Sequence, residues 1–174
     1  MSFAVPLLRS RRLFAPRAPR SMLARMFDHT LIGHRFEPFT VEVEKGPMRL
    51  FAKAIGETDP IYTDEAAAVA AGYRGMRVPL TYLFCLETLS GWDDQLNLLL
   101  GTQDVASLHG EQRFEYFAPA CSGDRLTFSR RVSDIYEKAG GRLDFLVTET
   151  EVVNQDDTLI ARMISTGMVD RGTP

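Results

Sequence analysis

Pro79-Leu80-Thr81-Tyr82-Leu83-Phe84-Cys85-Leu86-Glu87-Thr88-Leu89 reads as a helix of about eleven residues, apolar nearly all round. Pro79 suits its opening turn, where the missing N–H of proline costs nothing. Leu80, Leu83, Phe84, Leu86 and Leu89 cover its surface, with Tyr82 and Cys85 between them. A helix without a polar face has to be enclosed by something else.

The segments that follow it are suited to enclosing it. Residues 90–106 are the least regular: a turn at Ser90-Gly91-Trp92-Asp93-Asp94, an apolar run over 96–100 and a break at Gly101-Thr102, which together read as a mobile flap or a short helix. From 107 onward the chain alternates with a period of two. Residues 108–117 place Phe114 and Tyr116 on one face and Glu111, Arg113 and Glu115 on the other. Leu126, Phe128, Arg130 and Val132 alternate with Arg125, Thr127, Ser129 and Arg131. Ala139-Gly140-Gly141 is a hairpin signal, and strands are predicted over 143–153 and 159–169, separated by the turn Asn154-Gln155-Asp156-Asp157.

On the N-terminal side, residues 73–78 form a loop containing Gly75. Before it, Thr63 is the predicted cap of a helix running through 66–71 to Gly72. Residues 36–44 alternate through Phe39, Val41 and Val43 against Thr40, Glu42 and Glu44, a half-buried strand. Met48, Phe51, Ala52 and Ile55 recur at helical spacing, giving an amphipathic helix over 47–56. The fold class is therefore α+β: a curved antiparallel sheet wrapped around a central apolar helix, the layout of the hot-dog fold. Such a sheet leaves an edge and a face, and dimerisation is expected.

Composition sets the outer limits. A chain of 174 residues, 45% hydrophobic and 25% charged, suits one domain, placed at 28–170 with a short tail at 171–174. No run approaches the roughly 18 apolar residues of a membrane span. Residues 1–27 carry six arginines and no acid; with the whole chain at −3, the remainder stands at −9. An acidic body argues against nucleic acid as partner. The leader reads as a disordered extension, an overlong start with Met22 or Met26 as the true first residue, or alternatively as a mitochondrial transit peptide. Cys85 and Cys121 are far apart and without ligand spacing; Cys85 reads as a buried free thiol in a reducing, cytoplasmic setting. His29, His34 and His109 are isolated, so no metal site is expected, and the pattern calls for no cofactor.

Chemistry concentrates in Gly56-Glu57-Thr58-Asp59-Pro60-Ile61-Tyr62, where two carboxylates and a phenol flank a proline. Residues Phe51 to Tyr62 resemble the hydratase segment of the MaoC-like, (R)-specific enoyl hydratase family. Val78-Pro79-Leu80-Thr81 is similar to the start of that family's central helix, and His109-Gly110-Glu111-Gln112-Arg113-Phe114 with Pro119 and Gly123-Asp124 resembles its FAS1-like dehydratase branch. The family uses an Asp and a His in the pattern Asp-x-Asn-Pro-x-His to move protons on a (3R)-hydroxyacyl thioester, and a backbone N–H to hold the enolate oxygen.

This sequence departs from that pattern. Glu57 stands at the Asp position, Asp59 at the Asn position and Tyr62 at the His position. A phenol is a poor proton shuttle near neutrality. The glycine that supplies the oxyanion N–H falls at Pro79, which has none. The resemblance thus implies the non-catalytic, substrate-binding subunit of a heterodimeric (3R)-hydroxyacyl dehydratase, taking an acyl-CoA or acyl-carrier thioester beside a MaoC-like partner with an intact dyad. Pro79, Leu80, Thr81, Tyr82, Phe84 and Gln112 are then candidate substrate contacts. Other readings stay open: an autonomous hydratase, as a homodimer, using Glu57 or Asp59 with Tyr62 or with His109; a hot-dog thioesterase; or a binding module without chemistry. Arg125, Arg130 and Arg131 read as a solvated strand face, or alternatively as a contact for a CoA or carrier phosphate.

Overall fold

The computed structural model describes residues 27–103, 105 and 107–170. The leader over 1–26 and the tail over 171–174 lie outside the described residues. Phe27, grouped above with the leader, is buried in the core.

Among the described residues, five strands form one antiparallel sheet in the order β1-β3-β4-β5-β2. They are β1 (Phe39–Glu42), β2 (Ser107–Tyr116), β3 (Arg125–Lys138), β4 (Leu143–Val153) and β5 (Leu159–Asp170). The three long strands pair as consecutive hairpins, with Phe128 opposite Val152 and Val152 opposite Ala161. Gly140 and Gly141 take positive φ in the β3–β4 turn, a conformation glycine adopts without a Cβ penalty. Leu126, Phe128, Val132, Val152, Ile160 and Met163 turn to one face and are buried. Burying each such side chain is worth about 1.5–3 kcal/mol.

The helices are α1 (Lys45–Ala54), α2 (Glu65–Ala70), α3 (Tyr82–Glu87) and α4 (Trp92–Leu100). Helix α3 contributes Tyr82, Leu83 and Leu86 to the same core as Phe128 and Met163. This is the sheet-around-helix arrangement that the alternation implied.

Several boundaries differ from the sequence reading. Helix α1 starts two residues before Pro47, whose absent N–H still falls among the unpaired donors of the first turn. Strand β1 is shorter than 36–44: Glu37-Pro38 breaks the pairing, although Phe36 N–H still reaches the Arg130 carbonyl at 3.0 Å. Asp64 rather than Thr63 caps α2, its Oδ1 accepting from Ala67 N–H at 3.0 Å. The central helix has six α-helical residues, preceded by a turn at Pro79 and continued by a 3-10 turn at Thr88–Ser90. The left-handed φ of Gly91 ends it. Residues 92–100 are a helix, anchored by Trp92, whose Nε1–H donates to the Glu37 carbonyl at 3.2 Å.

The central helix is also less enclosed than its composition suggested. Leu80 and Leu89 are 44% and 64% exposed, and Cys85 is half-buried, while Cys121 is the buried thiol. One subunit's sheet covers only the flank carrying Leu83 and Leu86. At the sheet edge, β2 is open along most of its length.

Candidate functional site

The loop at Gly56–Tyr62 is built by its own side chains. Glu57 Oε1 accepts from the N–H groups of Thr58 at 2.9 Å and Asp59 at 3.1 Å. Asp59 Oδ1 accepts from Ile61 N–H at 3.0 Å and so caps the 3-10 turn Pro60–Tyr62. Carboxylates at such positions organise a turn by local hydrogen bonding. The loop faces the approach to α3: Arg77 N–H donates to the Ile61 carbonyl at 2.9 Å, and Val78 N–H to the Ala120 carbonyl at 2.9 Å. The Arg77 guanidinium lies over Tyr62 at 5.9 Å and Tyr73 at 5.5 Å from the ring centroids. Such contacts hold a cation and a phenol face together.

A cavity of about 270 Å³ opens beside Pro79, lined by Arg77, Leu80, Leu83, Tyr116, Phe117 and Pro119 among others. Desolvation pushes the Tyr116 phenol up to about 12, so it stays protonated and can donate. The polar groups nearest this end of α3 are therefore a phenol, a guanidinium and two carboxylates already engaged with the backbone.

A second cavity, also about 270 Å³, lies at the other end of α3. Helix α4 forms one wall through Leu96 and Leu100; Phe84, Leu146 and Met168 supply others. Leu98 and Leu99 point to solvent instead, 64% and 45% exposed. Within these apolar walls sit charges. Glu87 is 5% exposed and accepts from Thr150 Oγ1–H at 2.5 Å. Arg130 is 8% exposed and its Nη1 meets Asp93 Oδ1 at 2.8 Å. Burial pushes the Glu87 carboxyl above the usual range; Arg130, Thr150 and His109 pull it down, and Asp93 pushes it up.

The structure sorts the sequence candidates into these places. Glu57, Asp59 and Tyr62 stay together in the loop, and Pro79 and Leu80 line the neighbouring cavity. Phe84 and His109 line the other cavity, their rings edge-to-face at 5.2 Å. His109 is exposed, at a bulge in β2, so it sits where that cavity meets solvent. Thr81 is exposed, and Tyr82 is core, packed on Phe51 at 5.0 Å. Both amide atoms of Gln112 are buried without a partner among the described residues. Gly123-Asp124 is architectural: the buried Asp124 carboxylate accepts from Cys121 N–H at 2.8 Å and pairs with Arg74 at 2.9 Å.

Arg130 corrects the reading of a solvated arginine face. It shares the inward register of Leu126, Phe128 and Val132, and its charge is matched by Asp93 from α4. That register was visible in the alternation. Glu87 was missed as a site residue; the available signal was a lone acid in an apolar helix, which has to find a polar partner when buried. Among the described residues no cluster of His, Cys, Asp or Glu could hold a metal ion, and no helix is long and apolar enough to cross a membrane.

The sequence model of the FAS1-like dehydratase domain region matches residues 30–163. A UPF0336 protein of Saccharopolyspora erythraea is 33% identical over 147 residues, 84% of this chain and 92% of that protein. A UPF0336 protein of Streptomyces avermitilis is 33% identical over 114 residues, covering 65% and 76% of the two chains. In three dimensions the chain is similar to the C-terminally truncated HadBC (3R-hydroxyacyl-ACP dehydratase) complex of Mycobacterium tuberculosis, with a TM-score of 0.68, 27% identity, and 79% of this chain and 96% of that one covered. The (R)-hydratase of A. caviae shares the fold at a TM-score of 0.61 and 17% identity, with 78% and 94% covered.

Proposed function

Because the chain belongs to the FAS1-like dehydratase domain family, we propose that it is the acyl-thioester-binding, non-catalytic half of a (3R)-hydroxyacyl hydro-lyase. A second hot-dog subunit brings the intact Asp/His dyad. The observation that carries this reading is the state of the loop. Glu57 Oε1 and Asp59 Oδ1 are both engaged by the loop's own N–H groups. Tyr62, the residue that stands at the His position of the family's sequence pattern, lies under Arg77, and Pro79 offers no N–H for an enolate oxygen.

Dehydration of a 3-hydroxyacyl thioester needs one group to take the C2 proton and another to protonate the departing hydroxyl. On this chain the loop fixes the entry to α3, and the partner supplies both proton transfers. The acyl chain then runs along α3 into a cavity of this subunit. The exposed Leu80 and Leu89 and the open β2 edge are the surfaces that a partner would cover. The HadBC neighbour is itself a complex of two components, which favours pairing with a different subunit over pairing with a copy.

The deciding assay follows enoyl-thioester formation from a (3R)-hydroxyacyl-CoA, with the purified chain alone and with a MaoC-like subunit carrying Asp-x-Asn-Pro-x-His. Turnover by the lone chain is expected to be at least about a hundredfold below that of the pair. Efficient turnover by the lone chain, abolished by Tyr62→Phe, would overturn the assignment.

A further inference from the structure

The cavity at the far end of α3 is unlike a hydrocarbon tunnel. Phe84, Leu96, Leu146 and Met168 give it apolar walls, yet Glu87 and Arg130 also line it. Glu87 is nine-tenths buried and accepts a hydrogen bond at Oε1 only; Oε2 has no hydrogen-bond partner among the described residues. Oε2 is not sealed from solvent, and a methylene chain filling this space would bury it without a partner, which is costly.

The charges around it narrow what can fill the space. An anionic group would meet Glu87, while Arg130 already holds Asp93 at 2.8 Å. A cationic group would meet Arg130. What remains is a neutral group able to hydrogen-bond, carried on an apolar stem that fits the leucine and phenylalanine walls. We propose that this cavity takes an acyl chain bearing a hydroxyl or oxo oxygen beyond its 3-position, docked on Glu87 beside Thr150.

A hydroxyl donates to Glu87 Oε2. An oxo group instead accepts from the protonated acid, a form that burial favours. Both share one chemistry, an uncharged oxygen on a long chain. The proposal rests on the thioester reading above only for how that chain is delivered; the selection itself is made by Glu87.

Calorimetric titration of the full-length protein tests it. The probes are a medium-chain acyl-CoA, a positional series of its hydroxy derivatives, the matching oxo derivatives, and the same chains as methyl esters without a thioester. At one or more positions beyond the 3-carbon, the oxygenated chain is expected to bind about tenfold more tightly than the plain chain. Glu87→Leu should reverse that preference, and Glu87→Gln, which keeps a donor and an acceptor, should retain most of it. Thermal melts confirm that both variants fold.

Equal affinity for plain and oxygenated chains at every position, or an unchanged preference in Glu87→Leu, overturns the proposal and leaves the thioester reading standing. A preference that appears equally in methyl esters, with no gain from CoA, supports the cavity's selectivity and removes the thioester reading. Absence of binding by every probe overturns both.

Discussion

The two ends of the central helix handle polar groups in opposite ways. At its N-terminal end, the carboxylates of Glu57 and Asp59 are near the surface and are satisfied by N–H groups one or two residues away. At its C-terminal end, Glu87 and Arg130 are buried and depend on residues far along the chain: Thr150 is 63 positions from Glu87, and Asp93 is 37 from Arg130. A locally satisfied loop can form before the fold and tolerates change. A network assembled from α3, α4, β3 and β4 exists only in the folded state, and its buried members, Glu87, Arg130 and Thr150, lose a partner that water does not readily replace when one is removed. The loop looks like the functional motif in sequence, whereas the greater demand on structure lies at the opposite end.

That contrast can be broken by comparing losses of stability. The largest is expected at Trp92, 2% exposed and packed between Phe36 and Phe39. Trp92→Ala should cost about 3–5 kcal/mol in urea denaturation, because it removes the anchor that holds α4 over the cavity. Arg130→Met keeps the stem but leaves Asp93 and Glu87 without their cation. Asp93 is 66% exposed and can turn to water, so the cost should be about 2 kcal/mol, that of a lost hydrogen bond to a charged group, read from the urea midpoint at constant slope. If either variant costs no more than a loop variant, the cavity end is not the more demanding region.

How much of this was legible in the sequence follows the same division. Alternation placed Leu126, Phe128 and Val132 inward, and the apolar run at Leu83 and Leu86 identified the helix to be wrapped, because burial and period are local signals. The loop was legible for the same reason: its geometry is written in adjacent residues. Arg130 was not, although its parity matched the core, because the partner that permits its burial sits in 90–106. That segment has too little periodicity to be read before α4 packs on the sheet. Glu87 was hidden in the same way, by a hydrogen bond to a threonine on β4 that only the sheet's register brings near.

A subtler test uses pH. The folded state holds the Glu87 carboxyl above its ordinary range, chiefly by burial, with Arg130, Thr150 and His109 opposing and Asp93 adding to the shift. Its contribution to stability is therefore fully present below the ordinary glutamate range, and is lost as pH rises through the raised folded value. Glu87→Gln does not titrate there. The stability of the variant relative to the native protein should thus increase between acid and neutral pH, measured by denaturant midpoints at several pH values. A difference that stays flat would mean that Glu87 ionises as it does in the unfolded chain, and the contrast between the two ends would lose its electrostatic basis.

The smallest effect belongs to the loop. Asp59→Ala removes the side chain that caps Pro60–Tyr62 through Ile61 N–H. A lost cap costs about 1 kcal/mol, and the exposed backbone there can turn to water in its place. Paired with a catalytic subunit, the variant should keep most of its turnover, since on the proposed reading Asp59 shapes the turn and moves no proton. Loss of stability without loss of rate would separate architecture from chemistry at this loop. A hundredfold fall in the paired rate with an unchanged urea midpoint would instead place a working carboxylate there, and make the two ends of the helix parts of one site.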